Sequence, residues 1–354
     1  MAKGTSKVRV AIIGASGYVG SELVRVLVQH PNVEIAALFA DRNAGFSMSE
    51  IYPHFESVSL PKLLSTNDVN WASLDVEVIF CAMPHGYGQK IIKELVDNGG
   101  VKVIDLSADF RIKDESVYQD WYKFKHGSPD LLKKSVYGLT EFLRDEIKYS
   151  SLIACPGCYP TSVLLPLYPL LKSSLIKIQD IIIDSKSGVS GAGRAENQKN
   201  LYSEISDSFH PYAISEHRHI PEIEQQLSIA AGQLVNITFT PHLLPMSRGI
   251  LSTIYVRLND GITYSDVRNN LNDTFMNEPF VKLLDDKIIP QTKMVKGSNH
   301  CMLNVFEDRY PDKLIIVSAI DNLLKGAAGQ AVQNFNLLSG LDEASGLGAL
   351  PLFP

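Results

Sequence analysis

The spacing of apolar and polar positions changes along the chain, and the change divides it. Val8 to Ile13 (VRVAII) is β-branched and apolar almost throughout, as in a strand buried on both faces. GASGYVG follows. In SELVRVLVQH, Leu23, Val24, Leu27 and Val28 then recur at helical spacing until Pro31 stops the helix. VEIAALFA reads as a second buried strand and completes a strand–helix–strand unit. VEVIFCAM, IIKELVDN and VKVIDLSA repeat the alternation. The first part of the chain therefore predicts a doubly wound α/β domain of the Rossmann-like kind.

The texture then shifts. IIIDSKSG, VNITFTPHLLP, GILSTIYVRL and KLIIVSAI are strand-like, with TYSDVRNNLNDTFMN as a helix with a polar start. Long strands with few helices between them predict an α+β domain built on a mixed sheet. DNLLKGAAGQAVQNFNLLSG carries small residues at Gly326, Ala327, Ala328 and Gly329 and is expected to pack back on the first domain. The expected division is 1–157 plus 321–354 for a nucleotide-binding domain and 158–320 for a catalytic one.

Gly14, Gly17 and Gly20 stand between the first strand and the first helix. This G-x-x-G-x-x-G shifts the first spacing of the dinucleotide fingerprint by one residue, and the physics is unchanged. Glycines permit a tight turn and close approach of backbone N–H groups to a pyrophosphate at a helix N-terminus, where Ser16 can add a hydroxyl. At the end of the second strand, Asp41 and Arg42 are adjacent. An acidic residue there receives ribose hydroxyls and an arginine accepts a 2′-phosphate; Arg42 and NADP are the expectation.

Bulk properties narrow the class. A formal net charge of −6 over 354 residues argues against nucleic acid as a partner. No apolar run is long enough to span a bilayer, and the N-terminus has no signal-peptide cleavage pattern. Four cysteines in a chain of this length do not make a disulfide scaffold, so a reducing cytoplasm is expected.

CPGCYPT (Cys155 to Thr161) admits four readings: a redox dithiol, half a zinc site, a nucleophile beside a bystander cysteine, or a plain turn. Pro160 suits the first turn of a helix, and TSVLLPLYPLL is apolar enough to be buried, with a bend expected at Pro166. Cys158 then lies at a helix N-terminus, where partial positive charge favours a thiolate. Beside a nicotinamide, such a thiolate can form a thioester that exchanges a hydride. EHRHIPEIE supplies His217 and His219; in an extended segment two such residues face one side, with Arg218 pointing away. SKSGVSGAGR could form an anion nest, and Arg111 in DLSADFR could pair with a phosphate or carboxylate.

GASGYVG, MPHGYG, DLSADFR, YGLTE, PGCYPT, KSGVSGAGR, HRHIPEIE, TPHLLPM.RG and DNLLKGAAGQAVQN resemble, in order, the blocks of the N-acetyl-γ-glutamyl-phosphate reductase family, of the semialdehyde dehydrogenase superfamily. The resemblance runs from about Val8 to the final LPLFP. It implies NADPH-dependent reduction of N-acetyl-γ-glutamyl phosphate to N-acetylglutamate 5-semialdehyde and phosphate, in arginine biosynthesis, through a cysteine thioacyl-enzyme. It implies Cys158 as nucleophile, His219 as acid–base group and His217 as a second catalytic or substrate-holding group. Gly14, Ser16, Gly17, Tyr18 and Val19 match the pyrophosphate loop, and Arg42 the NADP-phosphate contact. Pro84, Gly191, Gly193 and Asn322 match cofactor-lining positions, while Arg111 and Tyr159 are the candidates for substrate binding. No metal is implied, and a homodimer or homotetramer is. Cys155 stands where the family often has Asn, which argues against its being catalytic; Asp41 stands where many members have Ser or Thr. Aspartate-semialdehyde dehydrogenase is the nearest rival, but Tyr159 follows the cysteine where that family has Thr or Ser. A carrier-bound aminoadipyl phosphate reductase, a silent NADP-sensing protein and a thiol oxidoreductase are the other readings.

Overall fold

The computed structural model describes residues 7–198 and 201–353. It divides into two compact units. One comprises the described residues up to Pro156 together with Ala327–Gly348; the other comprises Gly157–Gly326 and the described residues from Ala349 on.

The first unit is built on a sheet of strands β1 (Val8–Ile13), β2 (Val33–Phe39), β3 (Leu63–Leu64), β4 (Val78–Cys81), β5 (Lys102–Asp105), β6 (Val136–Tyr137) and β7 (Leu152–Ala154). Their order is β3-β2-β1-β4-β5-β7-β6, and every pairing is parallel. Parallel strands need crossovers, which α1 (Tyr18–Val28), α2 (Met48–Ile51), α3 (Gln89–Asn98), α4 (Glu115–Tyr122), α5 (Pro129–Lys134) and α6 (Thr140–Lys148) help supply. The strand order reverses between β1 and β4, so the glycine loop after β1 lies at the switch point, where such sheets bind ligands.

The second unit opens with α7 (Cys158–Lys172), which continues through Pro166 and Pro169. It adds β8 (Ile181–Gly188), α8 (Tyr202–Ile205), β9 (His210–Pro211), α9 (Ile220–Ala231), β10 (Ile237–Leu244), β11 (Ile250–Arg257), α10 (Tyr264–Phe275), β12 (Val281–Leu283), β13 (Cys301–Glu307) and β14 (Lys313–Ile320). The sheet runs β12-β13-β14-β11-β8-β10-β9; β8–β10 and β12–β13 are parallel and the other pairings antiparallel. This is the expected mixed sheet. Helix α7 packs on β11 and β14, with α9 and α10 beside it. On β8 and β11 the alternate residues Ile182 and Tyr255 stay 42% and 40% exposed, so one sheet face is left partly open and apolar.

After β14 the chain makes a π-helical turn (Leu324–Ala328) before α11 (Gly329–Leu338), which belongs to the first unit and packs on α6 and β5. The division therefore falls at 326/327 rather than at 320/321. The residues from Ala349 on also group with the second unit and not, as expected, with the first. Their anchor is local: Leu352 N–H donates to Lys296 O at 2.7 Å, and Leu352 packs over Gly297. Among the described residues no helix is long and apolar enough to cross a membrane.

Candidate active site

Cys158 is the first residue of α7, and Gly157, the residue before the helix, has no side chain with which to cap it. The third helical residue is Pro160, so the helix cannot close a capping box of its own. The cap comes from elsewhere. Gly157 N–H donates to Glu222 Oε1 at 2.8 Å, and Glu222, in the first turn of α9, is 1% exposed. On another side, a Cβ added to Gly326 would stand 2.8 Å from the Cys158 Cβ, so only glycine fits in that turn.

His217 and His219 sit at the start of α9. They are not extended, as the sequence suggested. A turn closed by Ile220 N–H to His217 O (2.9 Å) brings the imidazoles together instead, with centroids 4.7 Å apart. His217 Nδ1 accepts the His219 backbone N–H at 3.1 Å, which leaves Nε2 as its protonated nitrogen. Burial, with the charge of Arg218 adding, pushes the His217 pKa down to about 4, so it is neutral at physiological pH. Both rings lie edge-on to Tyr159, at 5.5 and 5.9 Å, and Tyr212 and Phe239 close around His217 at 5.5 and 5.4 Å.

Tyr159 was expected to touch substrate. It is instead 2% exposed, and its hydroxyl donates to His242 O (3.3 Å) while accepting from Tyr212 (3.2 Å). Burial pushes the Tyr212 pKa up to about 12; the hydrogen bond with Tyr159 works against the rise and a charge on Cys158 adds to it. The Cys158 charge raises Tyr159 as well, so the thiol lies within electrostatic reach of both phenols.

Asn322 is also tied into the scaffold: Oδ1 accepts from Gly249 N–H (2.8 Å) and Nδ2 donates to Ser190 Oγ (2.9 Å). Those bonds fix the loop carrying Gly191 and Gly193, the latter at φ +82°. Cys158, Tyr159, His217, His219, Gly191, Gly193 and Asn322 thus all belong to the second unit.

The dinucleotide candidates lie in the first unit. Gly14 has φ +82°, and a Cβ there would run into Ala82 O; a Cβ on Gly20 would run into Gly14 O. The loop packs so closely on its own backbone and on the end of β4 that only glycine fits at these two positions. Gly17 precedes α1, Tyr18 and Val19 open it, and Ser16 O accepts from Tyr52 Oη at 3.0 Å. Asp41 and Arg42 share a 3₁₀ turn after β2. The Asp41 carboxylate is held by Thr66 N–H (2.7 Å) and Thr66 Oγ1 (2.9 Å), whereas Arg42 is exposed. Pro84 is exposed just after β4, in a loop pinned by Gly86 N–H donating to the buried Asp109 carboxylate at 2.8 Å.

Arg111, the candidate for the substrate's anionic end, is only 6% exposed. Its Nε donates to Cys155 O (2.7 Å) and its Nη2 to Leu106 O (3.0 Å), so it braces the chain leading into CPGC. Cys155 is buried, takes a contact from Asn334 Nδ2 at 3.6 Å, and is pushed by burial up to about 12. A thiol so placed is a poor redox partner. Sequence reasoning left Glu222, Tyr212 and Phe239 without roles, and gave Gly326 only a place in close helix packing. Glu222 was visible in HRHIPEIE, but its partner lies 65 residues away.

Comparison with known proteins places this geometry. Residues 9–150 match the semialdehyde dehydrogenase NAD-binding domain, and residues 158–322 match the semialdehyde dehydrogenase dimerisation domain. A probable chloroplastic N-acetyl-gamma-glutamyl-phosphate reductase of Oryza sativa subsp. japonica is 51% identical over 99% of this chain and 84% of its own length. An N-acetyl-gamma-glutamyl-phosphate reductase of Rhodospirillum rubrum is 48% identical over 99% of this chain and 100% of its own. Among solved structures, aspartate semialdehyde dehydrogenase II of Vibrio cholerae complexed with ASA has a TM-score of 0.73 at 19% identity, covering 95% of this chain and 99% of that one. The NADP-bound Candida albicans aspartate semialdehyde dehydrogenase has a TM-score of 0.67 at 18% identity, over 94% and 99%. The chain therefore belongs to the semialdehyde dehydrogenase family of oxidoreductases, within the group of relatives named N-acetyl-gamma-glutamyl-phosphate reductase.

Proposed function

We propose that this enzyme reduces N-acetyl-γ-glutamyl phosphate to N-acetylglutamate 5-semialdehyde and phosphate with NADPH, as a step of arginine biosynthesis. The observation that carries the reading is Cys158 at the start of α7, in one unit with the imidazole pair seated on Tyr159.

The Cys158 Sγ attacks the acyl carbon, the C–O bond to phosphate breaks, and a thioester forms. The bound nicotinamide supplies a hydride equivalent to that carbon. As the aldehyde forms, the C–S bond breaks and Cys158 leaves as thiolate. His219 takes the thiol proton at the outset and returns it at the end. Neutral His217 is a poor base; its Nε2–H suits it to hold a substrate oxygen. Tyr159 acts through the imidazoles, and Arg111 through the backbone it braces.

The glycine loop of the first unit suits a pyrophosphate, because it turns tightly into the uncapped N-terminus of α1. Arg42 is the residue for the 2′-phosphate, since the Asp41 carboxylate is already held by Thr66 of the turn after β3. Pro84, Gly191 and Gly193 remain the cofactor-lining candidates. The partly apolar sheet face around Ile182 and Tyr255 suits a second copy of the chain, as a homodimer or as half of a homotetramer. Four free thiols suit a reducing compartment such as the cytoplasm.

The test offers NADP, phosphate and either N-acetylglutamate semialdehyde or aspartate semialdehyde, and follows NADPH. Turnover only with the acetylated substrate is expected; preference for aspartate semialdehyde overturns the reading.

A further inference from the structure

The two helices that carry the chemistry pack on each other, and a hydrogen bond joins their starts. Gly157, whose N–H donates, immediately precedes Cys158; Glu222, which accepts at 2.8 Å, lies one helical turn beyond His219. We propose that Glu222 is a positioning residue, which fixes the histidine-bearing start of α9 against the cysteine-bearing start of α7. The proposal rests on the reading of Cys158 and His219 above.

Three observations support it. Helix α7 cannot cap itself, with Gly157 before it and Pro160 as its third residue. The acceptor of the Gly157 N–H comes from the helix that carries the imidazoles. Gly326 packs against the Cys158 Cβ, so the helix start is held from a second side and cannot drift to compensate. A buried carboxylate bonded to a backbone N–H is a charge-assisted contact, stronger than a neutral one. Displacement of reacting groups by about 1 Å can cost about 10²-fold in rate, so a pin at this point acts on chemistry more than on binding.

The test compares Glu222→Ala, Glu222→Asp and Glu222→Gln with the wild type. Measured are kcat, KM for both substrates, NADPH affinity by fluorescence, and activity after iodoacetamide labelling of Cys158. Glu222→Ala is expected to lose about 10²-fold in kcat with KM and NADPH affinity within about threefold. Glu222→Gln keeps an acceptor oxygen in place and should stay within about fivefold of wild-type kcat; Glu222→Asp, shorter by a methylene, should fall between. If Glu222→Ala keeps kcat within threefold, the proposal is overturned. It is also overturned if the folded Gln variant, judged by intact NADPH binding, loses as much as Ala, because a pin is rescued by a replacement acceptor. The labelling arm separates the two claims. Labelled wild type that stays active overturns the nucleophile reading and Glu222 with it. Labelled wild type that is dead, beside a fully active Glu222→Ala, overturns Glu222 alone.

Discussion

Helices α1 and α7 both start behind a glycine, Gly17 and Gly157, and neither has an acidic residue in its own first turn. Each helix start points backbone N–H groups and the positive end of its dipole at whatever lies ahead. At α1 the approach is a glycine loop, and no side chain caps the helix. At α7 a carboxylate from α9 has already taken the Gly157 N–H. One local device thus has two forms: a terminus with no side-chain cap at α1, and at α7 an internal brace supplied by another element.

If the two termini divide the labour in this way, variants at one should leave the other's task intact. The largest effect is expected from Cys158→Ala, which should reduce acyl-phosphate turnover to background while NADPH titration is unchanged. Substantial turnover in that variant would break the comparison at its catalytic end. Next comes His219→Asn, with a loss of roughly 10²–10⁴-fold in kcat and little change in KM. Should His217→Asn show that loss instead, the two imidazoles exchange roles.

Arg42→Ala addresses the other terminus. A charged hydrogen bond to the 2′-phosphate is worth about 1.5–3 kcal/mol, so NADPH should weaken by roughly tenfold or more, with NADH little altered and Cys158 alkylated at the wild-type rate. Equal weakening of both cofactors would move the ribose contact elsewhere. The smallest effect concerns pH. The His217 pKa falls from 6.5 to about 4 on folding. Between those values the unfolded chain binds a proton that the native one does not, so acid removes stability as pH drops through this window. In denaturant melts across it, His217→Asn should show a shallower loss than wild type; identical slopes would mean that the buried ring is not a source of acid sensitivity.

The residues differ in how legible they were. β1, the glycine loop and α1 were readable because a buried parallel strand, a glycine turn and an amphipathic helix each carry a local signature. β13 (CMLNVFE) escaped notice because Asn304 interrupts its apolar run; in the fold Asn304 is buried, and its Nδ2 donates to Asp285 O and Ile288 O at 2.8 Å. The closeness of His217 and His219 was foreseen for the wrong reason, since a turn produces it. Arg111, Tyr159 and Asn322 were recognised by type and motif, but their bonds to backbone or buried scaffold groups depend on chain far away in sequence. Glu222 shows the limit best: nothing near HRHIPEIE reveals which N–H its carboxylate will meet.

Helix α7 has one further consequence. Apart from Cys158, Tyr168 and Lys172, every residue in it is buried, so the helix that presents the thiol is also a pillar of the core. Such a helix does not fray locally; its amides exchange with solvent chiefly when the whole cooperative unit opens. Heat inactivation and global unfolding of that unit are then expected to coincide, and hydrogen exchange at the buried amides of Val163, Leu164, Leu165 and Leu167 should track the lifetime of the active enzyme.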